Sequence, residues 1–78
     1  MARGVHREEY AKLRQALVAA REAAGVTQTA LAHRLGRSQS FVAKYELGER
    51  RLDIIDYLAV CKELGVDPSK LLSQVVSE

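Results

Sequence analysis

The 78-residue chain has no tryptophan, and only one phenylalanine, one proline and one cysteine. A lone cysteine, Cys61, forms no intramolecular disulfide and points to a reducing compartment. His33 has no second His, Cys or carboxylate at ligand spacing, so neither a metal nor any other cofactor is expected. There is no glycine-rich phosphate loop and no nucleophile with a base beside it, which argues against an enzyme. No apolar run is long enough to span a bilayer, and residues 1–6 lack the apolar stretch of a signal peptide. A cytoplasmic protein with no membrane partner is the expectation. Little proline and 47% apolar residues favour one small all-α domain over disorder, residues 1–78 with a core at about 7–72. In so short a chain, stability depends on how well the helices pack.

Net charge is only +2, but its distribution is uneven. Residues 1–51 hold ten Lys/Arg and five Asp/Glu, a balance of +5, whereas residues 52–78 balance at −3. A positive half attracts phosphates without making the whole molecule adhesive. Uneven charge is also common in small domains, so the motif within that half has to decide.

That motif runs from Thr27 to Gly48. Leu31, Ala32 and Leu35 recur at helical spacing, and Gly36 interrupts them where a sharp reversal needs φ above zero. Ser38 can cap a second helix, in which Val42 and Tyr45 fall three apart. Ala32 is small enough to let the two helices approach. Gln28, Arg37, Ser38, Gln39, Ser40 and Lys44 are left facing outward. These are hydrogen-bond donors and cations, as a helix entering the major groove requires.

Around this pair the chain predicts three more helices. The first spans about 7–24, with Tyr10, Leu13, Leu17, Ala20 and Ala24 as its apolar stripe. Arg7, Glu8, Lys12, Arg14 and Glu22 read as solvated. The second and third are Gln28–Leu35 and Gln39–Glu46. The fourth runs from an Asp53 cap to about Leu64, with Ile54, Tyr57, Leu58, Cys61 and Leu64 as its apolar face. Cys61 reads as a small buried hydrophobe. Asp67 caps the fifth helix and Pro68 occupies its first turn, where a missing N–H costs nothing. Phe41 is either a helix–helix contact or a wedge against the sugar-phosphate backbone, with packing preferred.

The ordered set Thr27-Gln28, Leu31-Ala32, Leu35-Gly36, Ser38-Gln39-Ser40, Val42, Tyr45-Glu46 and Gly48 resembles the helix-turn-helix of the phage-repressor family, the Cro-like or xenobiotic-response-element-like regulators. The resemblance continues through Asp53 and Leu64-Gly65-Val66-Asp67 to Leu71-Leu72. Ala30 stands where a carboxylate is common, and Leu52 where proline is common; neither touches the turn. The resemblance implies a five-helix, lambda-repressor-like DNA-binding domain with the helix-turn-helix at helices two and three. A transcriptional regulator, in particular a repressor, is expected, with a double-stranded DNA operator as partner and no small-molecule ligand. The same scaffold also serves protein-binding modules of antitoxin-like or anti-repressor-like kind, which fold alone does not separate.

The expected roles follow. Gln39, Ser40 and Lys44 read base edges from one face of helix three, and Ala43 can meet a thymine methyl. Gln28, Arg37 and Ser38 are placed for phosphate, with an ordinary helix-start glutamine as the alternative at Gln28. Arg50 and Arg51 can hold phosphates or enter the minor groove, or simply solvate their loop. The resemblance further implies an ion pair of Arg21 with Glu46, fixing the angle of helix three. A homodimer is expected because one recognition helix reads few base pairs. Leu72, Val75 and Val76, extended by Ile55, are the expected interface.

Overall fold

The computed structural model describes residues 2–76, with side chains from Glu8 to Val76. The elements in order are α1 (Ala2–Ala23), α2 (Gln28–Leu35), α3 (Gln39–Leu47), α4 (Ile54–Leu64) and α5 (Pro68–Val76), and no strand occurs among the described residues. Helix α1 begins more than a turn before the expected start, because the apolar stripe that betrays it in sequence begins only at Tyr10. The side chain of Arg7 lies outside the described residues.

Each junction is written locally. Thr27, Ser38 and Asp53 sit in extended backbone and accept from the N–H groups of Ala30, Phe41 and Asp56. Each satisfies one donor that its helix cannot, typically worth about 1 kcal/mol. Asp67 does the same for α5, accepting from Ser69 and Lys70. The α2–α3 turn closes on Gly36 at φ 68°, with the Arg37 N–H donating to the Ala32 carbonyl at 2.9 Å. A side chain at that φ would crowd the following carbonyl.

The core gathers one stripe from every helix: Leu17, Leu31, Ala32, Phe41, Val42, Tyr45, Tyr57, Val60, Cys61, Leu64 and Leu71. Burial pushes the Cys61 thiol above its ordinary pKa, as expected of a packed and unreactive cysteine. Tyr57 donates to the Pro68 carbonyl at 2.7 Å and so ties α4 to the first turn of α5.

Three expectations are corrected here. Ile54 (60% exposed) and Leu58 (44%) face solvent, and Val60 is buried in their place. Helix α4 is apolar nearly all round, so spacing alone does not choose its inner face. On α5 Val75 is 7% exposed and belongs to the interior of its own chain, while Leu72 and Val76 face outward. Leu71 is buried, and Val75 lies four residues on, directly above it on the same helix face. Ala24, at the end of the α1 stripe, is exposed. No helix among the described residues is long and apolar enough to cross a membrane.

Candidate nucleic-acid interface

The outward face of α3 is built from its first turn. Ser38, Gln39, Ser40 and Lys44 are exposed, and Ala43 is half-buried between them. Ser40 and Lys44 are four residues apart and Gln39 and Ala43 likewise, so all four share one side of the helix. The Ser38 hydroxyl oxygen accepts from the Phe41 N–H at 3.2 Å, which leaves its own hydrogen to donate.

Behind this face lies a chain of polar contacts through three helices. Arg21 of α1 donates from Nε to Glu46 Oε2 at 2.7 Å and from Nη2 to Glu46 Oε1 at 3.1 Å. Its Nη1 donates to the Val26 carbonyl at 2.8 Å. Gln28 of α2 donates to Glu46 Oε1 at 2.8 Å, and its own carbonyl oxygen accepts from Gln39 Nε2 at 2.8 Å. Glu46 is the sole buried charged residue among those described, 8% exposed. Its hydrogen bond holds the Arg21 guanidinium above its ordinary pKa, against the opposing effect of burial. A carboxylate taken out of water needs such partners. The implied Arg21–Glu46 pair is thus present and bidentate. Gln28, expected on phosphate, spends its amide inside this chain, with one hydrogen left over.

The arginines are distributed around Phe41. That residue is buried and meets the Tyr45 ring edge-on at 5.7 Å between centroids, so packing and not wedging is its place. The guanidinium carbon of Arg37 stands 3.9 Å from the Phe41 ring centroid and that of Arg50 5.1 Å. Residues from opposite ends of α3 therefore converge on one ring. Arg37 also pairs with Asp56 of α4 at 3.0 Å. The pair is partly exposed, and such pairs are worth about 0–1 kcal/mol, little enough to yield to a phosphate. The α3–α4 loop leaves the helix at Gly48, φ 85°, and carries Arg50 and Arg51 in the open.

Two capped helices in contact, with a buried alanine on the first, a left-handed glycine between them and a polar outer face on the second, define a helix-turn-helix. A family model described as Helix-turn-helix matches residues 17–71. A solved structure, an XRE-family like protein from Pseudomonas syringae pv. tomato, superposes with a TM-score of 0.91. It is 49% identical, over 95% of this chain and 90% of that one. The chain belongs to the XRE family of helix-turn-helix proteins. No curated protein matches it.

The matched segment of this helix-turn-helix protein begins well inside α1, and two residues ahead of it reach the same surface. Tyr10 Oη donates to the Arg50 carbonyl at 3.1 Å and accepts from the Leu52 N–H at 3.2 Å. Arg14 Nη1 donates to the Glu46 carbonyl at 2.9 Å, so its solvated reading is corrected to a half-buried brace. Nothing local in the sequence announces either role, because the partners lie 32 to 42 residues away. Tyr45 presents the opposite case, a fully buried hydroxyl without a hydrogen-bond partner among the described residues. Burial raises its pKa, so it stays neutral at any physiological pH.

Proposed function

We propose that this chain is a cytoplasmic, sequence-specific regulator that binds double-stranded DNA operators through the major groove and represses transcription. The observation that carries the reading is the outer face of α3. Gln39, Ser40, Ala43 and Lys44 form one surface of donors, acceptors and a small apolar group, flanked by Arg37, Arg50 and Arg51. Gln pairs bidentately with adenine, Ser bonds several base edges and Lys favours guanine or phosphate. Ser38 and the three arginines hold the backbone on either side. Gln28 contributes by holding Gln39. Repression is the simpler consequence, since occupying an operator suffices to exclude other proteins from it. The chemistry is binding and not catalysis.

The test is selection of duplexes from a random pool, followed by titration of the selected site at several salt concentrations. Gln39→Ala should relax preference at one base position at a cost of about 1–3 kcal/mol. Arg50→Ala should weaken binding to all sequences alike and flatten the logarithmic salt dependence by about one unit. Binding that ignores salt would sink the DNA reading and favour a protein partner on the same scaffold.

The same reading includes a homodimer on DNA, its half-sites about one helical turn, roughly 34–36 Å, apart. Leu72 and Val76 on α5, with Ile55 on α4, supply the exposed apolar side chains for a two-fold contact. Val75, being internal, is withdrawn from that set. Sedimentation of a Leu72→Asp, Val76→Asp double variant should show monomer at concentrations where the wild type dimerises, with the helical circular dichroism of the wild type retained. A wild type that stays monomeric at high micromolar concentration and binds its site one copy at a time defeats the dimer.

A further inference from the structure

The two arginines of the α3–α4 loop follow a segment that α3 holds through the Lys44 carbonyl, and Leu52 after them packs against the core. The Lys44 carbonyl accepts from the N–H groups of Glu49 at 2.9 Å and Arg50 at 3.3 Å. From Arg51 to Asp53 the chain has no regular structure. The next tie comes from Tyr10, on the part of α1 that precedes the family match at residues 17–71. One hydroxyl donates to the carbonyl of Arg50 and accepts from the N–H of Leu52, on either side of Arg51. The ring of the same tyrosine lies 5.2 Å from the Arg51 guanidinium carbon. Residues 50, 51 and 52 are thus all held by a single side chain. Four residues further along α1, Arg14 fills the space above Gly48, where an added Cβ would come within 2.9 Å of its Nε.

The geometry points to Tyr10 as a positioning residue for DNA binding. It sets the backbone from which Arg50 and Arg51 reach phosphates, with Arg14 bracing the helix end before them. The inference rests on the DNA-binding reading above. Tyr10 itself touches no base and no phosphate; it acts through the loop. A guanidinium bonds a phosphate in a directional fork, so the bond depends on where its backbone is held. Without the hydroxyl, the Arg50 carbonyl and the Leu52 N–H turn to water, and both arginines range over more positions. The loss falls on backbone contacts, so it is the same for every sequence.

Tyr10→Phe removes the hydroxyl and keeps the ring and the helix. With a random-sequence duplex as probe at low salt, affinity should fall about three- to tenfold, the equivalent of one or so hydrogen bonds. Preference on the selected site should not change, and hydrogen exchange at the Leu52 amide should quicken. In an Arg50→Ala, Arg51→Ala background, Tyr10→Phe should have no further effect on affinity, which a general loss of stability would not reproduce. Equal binding by Tyr10→Phe and wild type overturns the positioning role and leaves the DNA reading standing. So does an unchanged exchange rate at Leu52, or an undiminished loss in the background lacking both arginines. A wild type that does not bind the duplex at low salt overturns both.

Discussion

Glu46→Ala should lower folding stability by about 3–5 kcal/mol, a large share of the total for a domain this small. The carboxylate accepts from Arg21 twice and from Gln28 once, and the side chains of the ion pair are only 12% and 6% exposed. Removing it strands a guanidinium that retains the Val26 carbonyl as its hydrogen-bond acceptor but has lost its counter-charge. Urea unfolding followed by circular dichroism measures the change. A paired replacement, Arg21→Met with Glu46→Leu, should recover most of the stability, since apolar substitutes for a buried pair are often neutral or better. It should not recover DNA affinity, because Gln28 then loses the carboxylate that holds its amide and keeps only its bond to Gln39. A single Glu46→Ala variant that unfolds within about 1 kcal/mol of wild type would mean the pair behaves as an exposed one.

The second large effect is expected at Phe41. Phe41→Ala should cost about 3–5 kcal/mol by opening a cavity beneath the recognition helix. Phe41→Leu keeps most of the volume and should cost less than about 1.5 kcal/mol. Both variants remove the ring on which Arg37 and Arg50 lie, contacts worth about 0.5–1 kcal/mol each at exposed sites. Phe41→Leu should therefore fold and still bind DNA more weakly at every sequence. Melting curves set beside salt titrations separate the two losses. A leucine variant with wild-type affinity would show that the arginines find their places without the ring.

The helix-turn-helix was legible because its signals are local. Gly36 and Ser38 act on neighbours within a few residues, and the structure uses both as the sequence suggests. The bidentate Arg21–Glu46 pair was legible only through resemblance, since no spacing rule links residues 25 apart. The inner face of α5 was legible in principle. Leu71–Val75 and Leu72–Val76 are equivalent four-residue pairs, and burying Leu71 selects the first. Helix α4 offered no such choice, because Ile54, Ile55 and Leu58 are as apolar as the residues it buries. Arg37 reads in sequence as an outward-facing phosphate contact, and in the structure Asp56 and Phe41 engage it as well. Tyr10 looked like one more member of an apolar stripe. Its hydroxyl finds partners only after α1 and the α3–α4 loop have met.

The polar chain that ends at Gln39 also bears on the disorder lost when a base is read. A free glutamine side chain turns about three bonds, and freezing it costs up to about 1.5–2 kcal/mol. In this domain its amide is already tied to Gln28, and through Gln28 to a carboxylate that α1 holds from behind. Some of that freedom is surrendered when the protein folds, before any base pair arrives. The carbonyl and the second amide hydrogen of Gln39 remain to meet an adenine edge without breaking the tie. On the proposed reading, discrimination by Gln39 is set partly by residues that never touch the base, and loosening Gln28 should blur it.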